Sequence, residues 1–257
     1  MLNLEPYKIP MQPIPERMEA ALAVGVVSGQ FPAAAEASQL FDRWDEFADR
    51  TLRSPDGRLL VTCSTDMPGV TPDMIDWWFA WHLTESERYQ LWHPLAHLKA
   101  VVEEDRSGLA DNRAIYRGNI SYVDEYIGKE LKHLAIAFFE PSEIGLAELE
   151  HAGATAICAR TTDRQLRAEG GRLVHLVSPT ETGCEMRSAF WLGEAKLKIP
   201  LLGALLTPLA NTGPMRRLIV KDHLATDLQR HCAEEMNHLA RFLPQLYNEA
   251  NKDRSSS

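Results

Sequence analysis

Two hydrophobic periodicities divide the chain into a helical beginning, a strand-rich middle and a helical end. Apolar residues at helical spacing predict helices in the first part: 18–27, 34–52, 72–82, 84–92 and 98–104. Stretches rich in β-branched and aromatic residues predict strands in and around the middle: 58–65, 114–127, 131–140, 155–162, 172–178 and 185–193. A short helical insert is expected at 142–151, and Thr180–Gly183 predicts a hairpin loop between the last two strands.

The end of the chain predicts a helix at 201–210 and a long helix at 215–248, interrupted or ended near Pro244. This order favours an α+β fold in which a curved antiparallel sheet wraps around the long C-terminal helix, because the apolar face of such a sheet must be covered. We divide the chain into a small N-terminal helical or dimerisation part (1–55), a main domain (56–250) and a disordered tail (251–257).

Composition narrows the classes of protein that fit. The 257 residues are 45% hydrophobic and 25% charged, as in ordinary globular proteins, and the net charge of −9 argues against nucleic acid or an anionic membrane as partner. The four cysteines form no CxxC pair, residues 1–15 lack a signal-peptide pattern, and the apolar run 199–210 is too short to span a bilayer. We therefore expect a cytoplasmic protein with free thiols.

One row of side chains on the long helix carries candidate chemistry. Residues four apart share a helix face, so an apolar seam runs beside one continuous row of possible ligands: His223, Asp227, His231 and Glu235. We interpret His231 and Glu235 as half of a metal site, and we expect His223 and Asp227 to face solvent or lie behind the ligands.

The other half must come from elsewhere in the chain. Glu125 alternates with Asp124 on a predicted strand, so it faces inward beside Val123 or is a solvated carboxylate. His175 alternates with apolar neighbours, and either face of its strand can be the inner one.

His93 and His97 lie four residues apart, but Pro94 disfavours a continuous helix through His93. Two imidazoles and two carboxylates suit zinc, and the same donor types also bind iron or manganese. The candidate ligands are His97, Glu125, His231 and Glu235.

Four of the six tryptophans lie between residues 77 and 92, where they fill a core or wall an apolar pocket. The run Met74–His82 (MIDWWFAWH), followed by 88–97 (RYQLWHPLAH), resembles the 2,4-diacetylphloroglucinol hydrolase family, which is similar to phloretin hydrolase. Segments 122–126, 185–193 and 231–235 continue the resemblance, which spans 71–243.

The resemblance implies a zinc-dependent hydrolase, in a homodimer, that cleaves the carbon–carbon bond between an acyl group and a phenolic ring of a small aromatic ketone. It implies a helix-grip fold like that of START and birch-pollen allergen proteins. The implied metal ligands are His97 (with His93 as the alternative), Glu125, His231 and Glu235. The implied catalytic residues are His175, Glu235 and Tyr89, and the implied substrate contacts are Trp78, Trp81, His93 and Phe190.

Two positions depart from the family's pattern. Phe190 stands where the family has a tyrosine, and Ala100 stands where an asparagine is expected. Each change removes a hydrogen bond to a phenolic oxygen, and leaving such a group unpaired costs about 1–3 kcal/mol. A carrier that binds a hydrophobic aromatic ligand without chemistry is the alternative function, since one fold serves many purposes.

Overall fold

The computed structural model describes residues 2–147 and 153–252. The α-helices are α1 (Glu16–Val24), α2 (Ala37–Asp42), α3 (Trp44–Phe47), α4 (Pro72–Trp81), α5 (Ser86–Trp92), α6 (Asn112–Tyr116), α7 (Gly203–Ala210), α8 (Gly213–Ile219) and α9 (Asp222–Ala250). The strands are β1 (Val26–Ser28), β2 (Thr51–Arg53), β3 (Leu59–Pro68), β4 (His97–Val102), β5 (Ile120–Ile127), β6 (Glu130–Phe139), β7 (Thr155–Asp163), β8 (Ala168–Thr180) and β9 (Gly183–Leu197).

All the strands join one sheet in the order β1-β2-β3-β9-β8-β7-β6-β5-β4. Its neighbours are antiparallel except for the short β1–β2 pair. The long helix α9 packs against β3 and β5 on one face of the curved sheet. The predicted α+β fold with a helix-grip arrangement is therefore confirmed.

Both faces of the β3–β9 region are buried. In β3, Leu59 and Val61 face the core shared with α4 and α9, whereas Leu60 faces a second core formed with α2 and α3. A strand covered on both sides needs apolar residues at successive positions, which is why this segment shows no polar alternation.

The edge strand β4 was not predicted, and the helix expected at 98–104 is wrong. A bulge between His97 and Lys99 shifts the pairing with β5, so the buried positions His97 and Ala100 are three residues apart. That interval imitates helical spacing and conceals the strand.

The strand expected at 114–127 begins too early, because Asn112–Tyr116 is the helix α6. Asp111 caps this helix by accepting a hydrogen bond from the backbone nitrogen of Arg113 (2.9 Å). Gly118, at φ +68°, then turns the chain into β5.

Two N-terminal helices were predicted too long. The first ends at Val24, where Gly25 adopts φ +70° and leads into β1. The segment 34–52 divides into a 3-10 turn, α2, α3 and β2.

Two later elements also differ from the prediction. Within 142–147 the predicted insert contains the end of the 3-10 turn Pro141–Ile144, and 148–152 lie outside the described residues. The long helix begins at Asp222 and continues through Pro244, because buried Leu243 and Leu246 hold its last turns on the core. Such packing outweighs the roughly 3 kcal/mol that an interior proline costs.

The boundary placed at residue 55 remains a prediction. The preceding residues contribute β1 and β2 to the common sheet, and the Tyr7 hydroxyl donates to Glu249 on α9 (2.6 Å). Residues 253–257 of the expected tail lie outside the described residues, and Asn251 and Lys252 form a turn. The four cysteines are buried free thiols, as predicted. Across 2–147 and 153–252, no helix combines the length and apolarity needed to cross a membrane.

A buried carboxylate ties α4 to the sheet. Asp76 is 4% exposed and accepts hydrogen bonds from Arg113 Nε (2.8 Å), the Tyr116 hydroxyl (2.7 Å) and Thr155 Oγ1 (2.8 Å). Three donors from α6 and β7 thus compensate the desolvation of one charge.

We predict that Asp76→Ala lowers the free energy of unfolding by about 3–5 kcal/mol, because removing one partner leaves buried polar groups without their acceptor. Asp73→Ala, on the exposed side of the same helix, should cost less than about 1 kcal/mol. Urea denaturation of both variants measures the difference, and equal losses would contradict the role assigned to Asp76.

Candidate metal centre and substrate cavity

The helix α9 presents only the second half of its ligand row to the interior. His231 and Glu235 are 6% and 7% exposed, one turn apart. His223 is exposed, with Nε2 lying 3.2 Å from Glu130 Oε1, and Asp227 is half-buried over Gly128. His231 and Glu235 are therefore buried, whereas His223 and Asp227 lie nearer the solvent, as the sequence predicts.

Sheet register brings two further groups to this turn of α9. His97 is the first residue of β4 and pairs directly with Glu125 on β5. The turn before it is closed by the backbone nitrogens of Ala96 and His97, which both donate to the carbonyl of His93 (3.0 and 2.8 Å). Pro94 therefore ends α5 and sends the chain into the edge strand.

The facing oxygens of the two carboxylates both lie close to the two imidazole nitrogens. His97 Nε2 lies 3.2 Å from His231 Nε2 and 3.5 Å from both Glu125 Oε2 and Glu235 Oε2. His231 Nε2 lies 3.9 and 3.7 Å from the same two oxygens. In a tetrahedron with bonds of about 2.1 Å, ligand atoms are about 3.4 Å apart. His97, His231 and Glu235 form the compact group that can hold a metal ion, with Glu125 beside it.

The nitrogen of His97 that faces away from the ligand group is held by a hydrogen bond, which directs the lone pair of the other nitrogen toward the group. His97 Nδ1 lies 3.0 Å from the carbonyl of Tyr89, which fixes the proton on Nδ1 and leaves Nε2 as a ligand atom. The rings of Tyr89 and His97 stack with centroids 3.8 Å apart. The Tyr89 hydroxyl donates to Glu125 Oε2, so one side chain orients two candidate ligands.

Burial shifts the pKa values of all four groups toward their neutral forms. Desolvation raises the pKa of Glu125 to about 7 and that of Glu235 well above its usual value, to which the nearby Glu125 charge adds. It lowers the pKa of His231 to about 3 and that of His97 well below its usual value. A divalent cation would compensate the two carboxylates and bind the neutral imidazoles, so the donor set fits a metal ion.

His93 occupies a different position from His97. Its Nε2 lies 3.2 Å from Glu234 Oε2, and its ring stacks on His231 with centroids 4.9 Å apart. The geometry therefore favours His97 as the histidine that joins the ligand group, with His93 beside His231.

A cavity between sheet and helix extends from the metal centre. Its volume of about 70 Å³ has room for several water-sized groups, so a phenolic ring needs the lining to widen. The lining combines Glu125, His231, Glu235 and Tyr89 with residues of β5, β6, β8, β9, α4 and α5, including Phe79, Trp92, Ser121, Phe138, His175 and Phe190.

His175 and Phe190 are neighbours on the wall opposite β5. His175 Nδ1 lies 2.8 Å from Ser188 Oγ, and the Phe190 ring packs edge-on at 5.7 Å. Burial lowers the pKa of His175 to about 3. The imidazole is therefore neutral near pH 7, with one nitrogen held by a hydroxyl.

The two tryptophans predicted to contact substrate pack behind the cavity. Trp78 is fully buried against Trp92 and Phe242, and Trp81 stacks on Trp77 and carries the Arg88 guanidinium 4.3 Å from its ring centroid. Phe79, Tyr89 and Trp92 are aromatic residues from this region that do line the cavity.

Sequence reasoning missed two polar atoms of the lining. Ser121 Oγ and Trp92 Nε1 are buried and have no hydrogen-bond partner among the described residues. A single serine in a strand gives no periodic signal, and the sequence does not distinguish Trp92 from the other tryptophans of its cluster. Ala100, the second departure, pairs its backbone with Ser86 Oγ.

Comparison with known proteins gives a consistent result. The family model described as the DAPG hydrolase PhiG domain matches residues 51–248. The chain is 33% identical over 193 residues to 2,4-diacetylphloroglucinol hydrolase of Pseudomonas protegens, covering 71% of this chain and 62% of the relative, less than two thirds of that protein's length. It is 26% identical over 253 residues to phloretin hydrolase of Eubacterium ramulus, covering 95% and 88% of the two chains.

Solved structures show more distant similarity. The crystal structure of Ara h 8.0201 aligns with a TM-score of 0.40 and 10% identity, over 72% of this chain and 97% of that one. Norcoclaurine synthase from Thalictrum flavum aligns with a TM-score of 0.34 and 15% identity, over 68% and 88%.

The ligand geometry predicts that zinc stabilises the protein through His231. Zinc at one hundred times its Kd should raise the free energy of unfolding of the metal-stripped protein by about 2.7 kcal/mol, because it binds the folded state. We expect His231→Ala to lose this increase and His223→Ala, on the exposed half of the row, to keep it. Thermal unfolding with and without zinc measures both, and a retained increase in His231→Ala would refute the assignment.

Proposed function

The chain belongs to the DAPG hydrolase family, and we propose that it is a zinc-dependent hydrolase that cleaves the bond between an acyl carbon and a phloroglucinol-type ring. The observation that carries the proposal is the buried group His97, His231 and Glu235, whose donor atoms lie close enough to hold one metal ion, with Glu125 beside it and His175 in the adjoining cavity. The names of the relatives supply the class of substrate.

His97, Glu125, His231 and Glu235 would hold the zinc ion. When bound, zinc supplies Lewis acidity toward the ketone oxygen and lowers the pKa of bound water. We assign Tyr89 a positioning role, because its ring stacks on His97 and its hydroxyl binds Glu125. Burial and the Glu125 charge raise the pKa of Tyr89 well above its usual value, so it remains a donor.

The reaction consumes one water and needs one proton at carbon. The ring carbon that carries the acyl group takes up a proton, which a ring with oxygens in 1,3 relation accepts through its keto tautomer. Water oxygen bonds to the acyl carbon, and the electron pair of the broken carbon–carbon bond returns to the ring. The products are a carboxylic acid and a phenol with hydrogen in place of the acyl group.

We assign the proton movement at the ring to His175. Ser188 holds Nδ1, so Nε2 is the nitrogen that exchanges a proton with the substrate. Glu235 is the second candidate for proton transfer, on the water side, because burial raises its pKa and keeps it basic. Phe79, Trp92 and Phe190 exclude water around the ring.

A direct assay tests this function. Zinc-loaded protein is incubated with acylphloroglucinols of different acyl length, and the loss of aryl-ketone absorbance is followed together with the released acid. We expect cleavage by the wild type and none by His231→Ala. Binding without cleavage, in a protein that retains no stoichiometric zinc, would favour the carrier function instead.

We further predict that His175→Gln lowers kcat by about a hundred- to ten-thousand-fold, the usual contribution of a general acid or base. The zinc content should stay unchanged, because His175 lies outside the ligand group. His133→Gln is the matched control, since His133 on β6 binds Asp124 (2.7 Å) away from the cavity. Similar rates for the two variants would exclude the proton-transfer role.

A further inference from the structure

A second pocket lies between residues 7–9, α5 and α9, outside the catalytic cavity. Its volume is about 640 Å³, against about 70 Å³ for the cavity, and small ligands commonly occupy pockets of roughly 300–1,000 Å³. Tyr89 and Trp92 of α5 line the cavity, whereas Leu91 lines the pocket. The two have no lining residue in common among those described, although His97 in the pocket wall is a candidate metal ligand.

The wall that α9 contributes contains a buried histidine. His238 is 1% exposed, and neither ring nitrogen has a hydrogen-bond partner of good geometry within the described part of the chain. Burial lowers its pKa to about 4, with the Leu91 carbonyl opposing the shift in part, so the ring is neutral near pH 7. A neutral imidazole has one N–H donor and one acceptor nitrogen. Because a carbonyl can accept only from the N–H, the other nitrogen is an acceptor without a donor.

The charges that line the pocket balance one another. Lys8 Nζ lies 2.5 Å from Glu5 Oε1 and 3.1 Å from Glu87 Oε1. The ammonium group is thus already compensated, and it gives little attraction to a carboxylate or a phosphate. The pocket therefore favours a neutral ligand.

The remaining polar groups of the lining are occupied. The Tyr7 hydroxyl donates to Glu249 (2.6 Å), and Gln90 Nε2 donates to the carbonyl of Leu98 (2.7 Å). The nitrogens of His97 are used as well, one by a backbone carbonyl and one in the ligand group. Four residues give the pocket its apolar lining: Ile9, Leu91, Pro94 and Leu98. The pocket thus combines an apolar wall with one polar anchor.

We propose that this pocket binds a small neutral molecule with an apolar body and a hydroxyl group, a phenol or an alcohol, whose O–H donates to the acceptor nitrogen of His238. A buried polar group without a partner destabilises a fold, whereas leucine at this position would avoid that cost. The hydroxyl supplies the missing donor, and the apolar body packs on Leu91 and Leu98. The inference goes beyond the proposed function and does not depend on it.

NMR of the purified protein with isotope-labelled histidine tests the proposal. The probes are para-cresol, cyclohexanol and toluene, of which the first two carry a hydroxyl. The imidazole resonance that is missing in His238→Leu belongs to His238. We expect it to shift with para-cresol, which indicates a phenol site, or with cyclohexanol, which indicates an alcohol site. The better hydroxylated probe should bind about three- to tenfold more tightly than toluene, as expected for one neutral hydrogen bond.

Two variants and a control locate the binding. The backbone amide resonance of Gln90 follows the dissociation constants in each of them. In His238→Leu the ratio of the two constants should fall to about one, and His223→Leu, on the exposed half of α9, should keep the wild-type ratio. Leu98→Trp, at a position that is 42% exposed, should fill the pocket and weaken all probes while His238 remains.

Three outcomes overturn the proposal. The first is a His238 resonance that neither hydroxylated probe shifts, which would leave water as the occupant of the pocket. The second is a wild-type ratio near one. The third is a preference for the hydroxylated probe that persists in His238→Leu or, if that variant does not fold, in Leu98→Trp.

Discussion

The seating of α9 against the sheet is the constraint on which the site depends, because the helix carries two of the four donors and the strands carry their counterparts. Buried Cys232, Met236 and Leu239 fix the rotation of the helix about its axis. If the helix packed with its register shifted by one residue, it would be rotated about its axis, and His231 and Glu235 would point away from β5. Apolar packing holds the donors at ligand spacing together with buried Gln229, which donates to the Thr62 carbonyl (3.0 Å) and accepts from the Thr51 hydroxyl (3.2 Å).

The sequence predicts those site residues that follow from helical spacing better than those whose position depends on how strands pair. The pair His231 and Glu235 follows from helical spacing beside an apolar seam, a local property. Glu125 and His175 each lie on a strand where spacing leaves two faces open, and only the register with neighbouring strands decides between them. The bulge after His97 disrupts the alternation of buried and exposed residues along β4, so only its pairing with β5 identifies it as a strand.

The tryptophan-rich segment shows a second limit of prediction from local sequence pattern. Spacing identifies α4 and the concentration of tryptophan, but which ring reaches the cavity depends on distant residues. Phe242 of α9 covers Trp78, and Arg88 covers Trp81, whereas Phe79, Tyr89 and Trp92 reach the cavity. Ser121 gives no periodic signal, and its burial without a hydrogen-bond partner within 2–147 and 153–252 is visible only in the fold.

The aromatic segment also supports the ligand that the sheet holds least firmly. His97 begins an edge strand with a bulge, where pairing alone defines position poorly. The helix α5 compensates: Tyr89 binds the imidazole through its carbonyl and stacks on it, Gln90 donates to the carbonyl of Leu98 (2.7 Å), and Ser86 pairs with the backbone of Ala100. Because α4 and the tryptophans pack behind α5, the tryptophan-rich sequence serves the metal centre indirectly. It fixes the wall from which His97 is oriented, even where its rings do not reach the cavity.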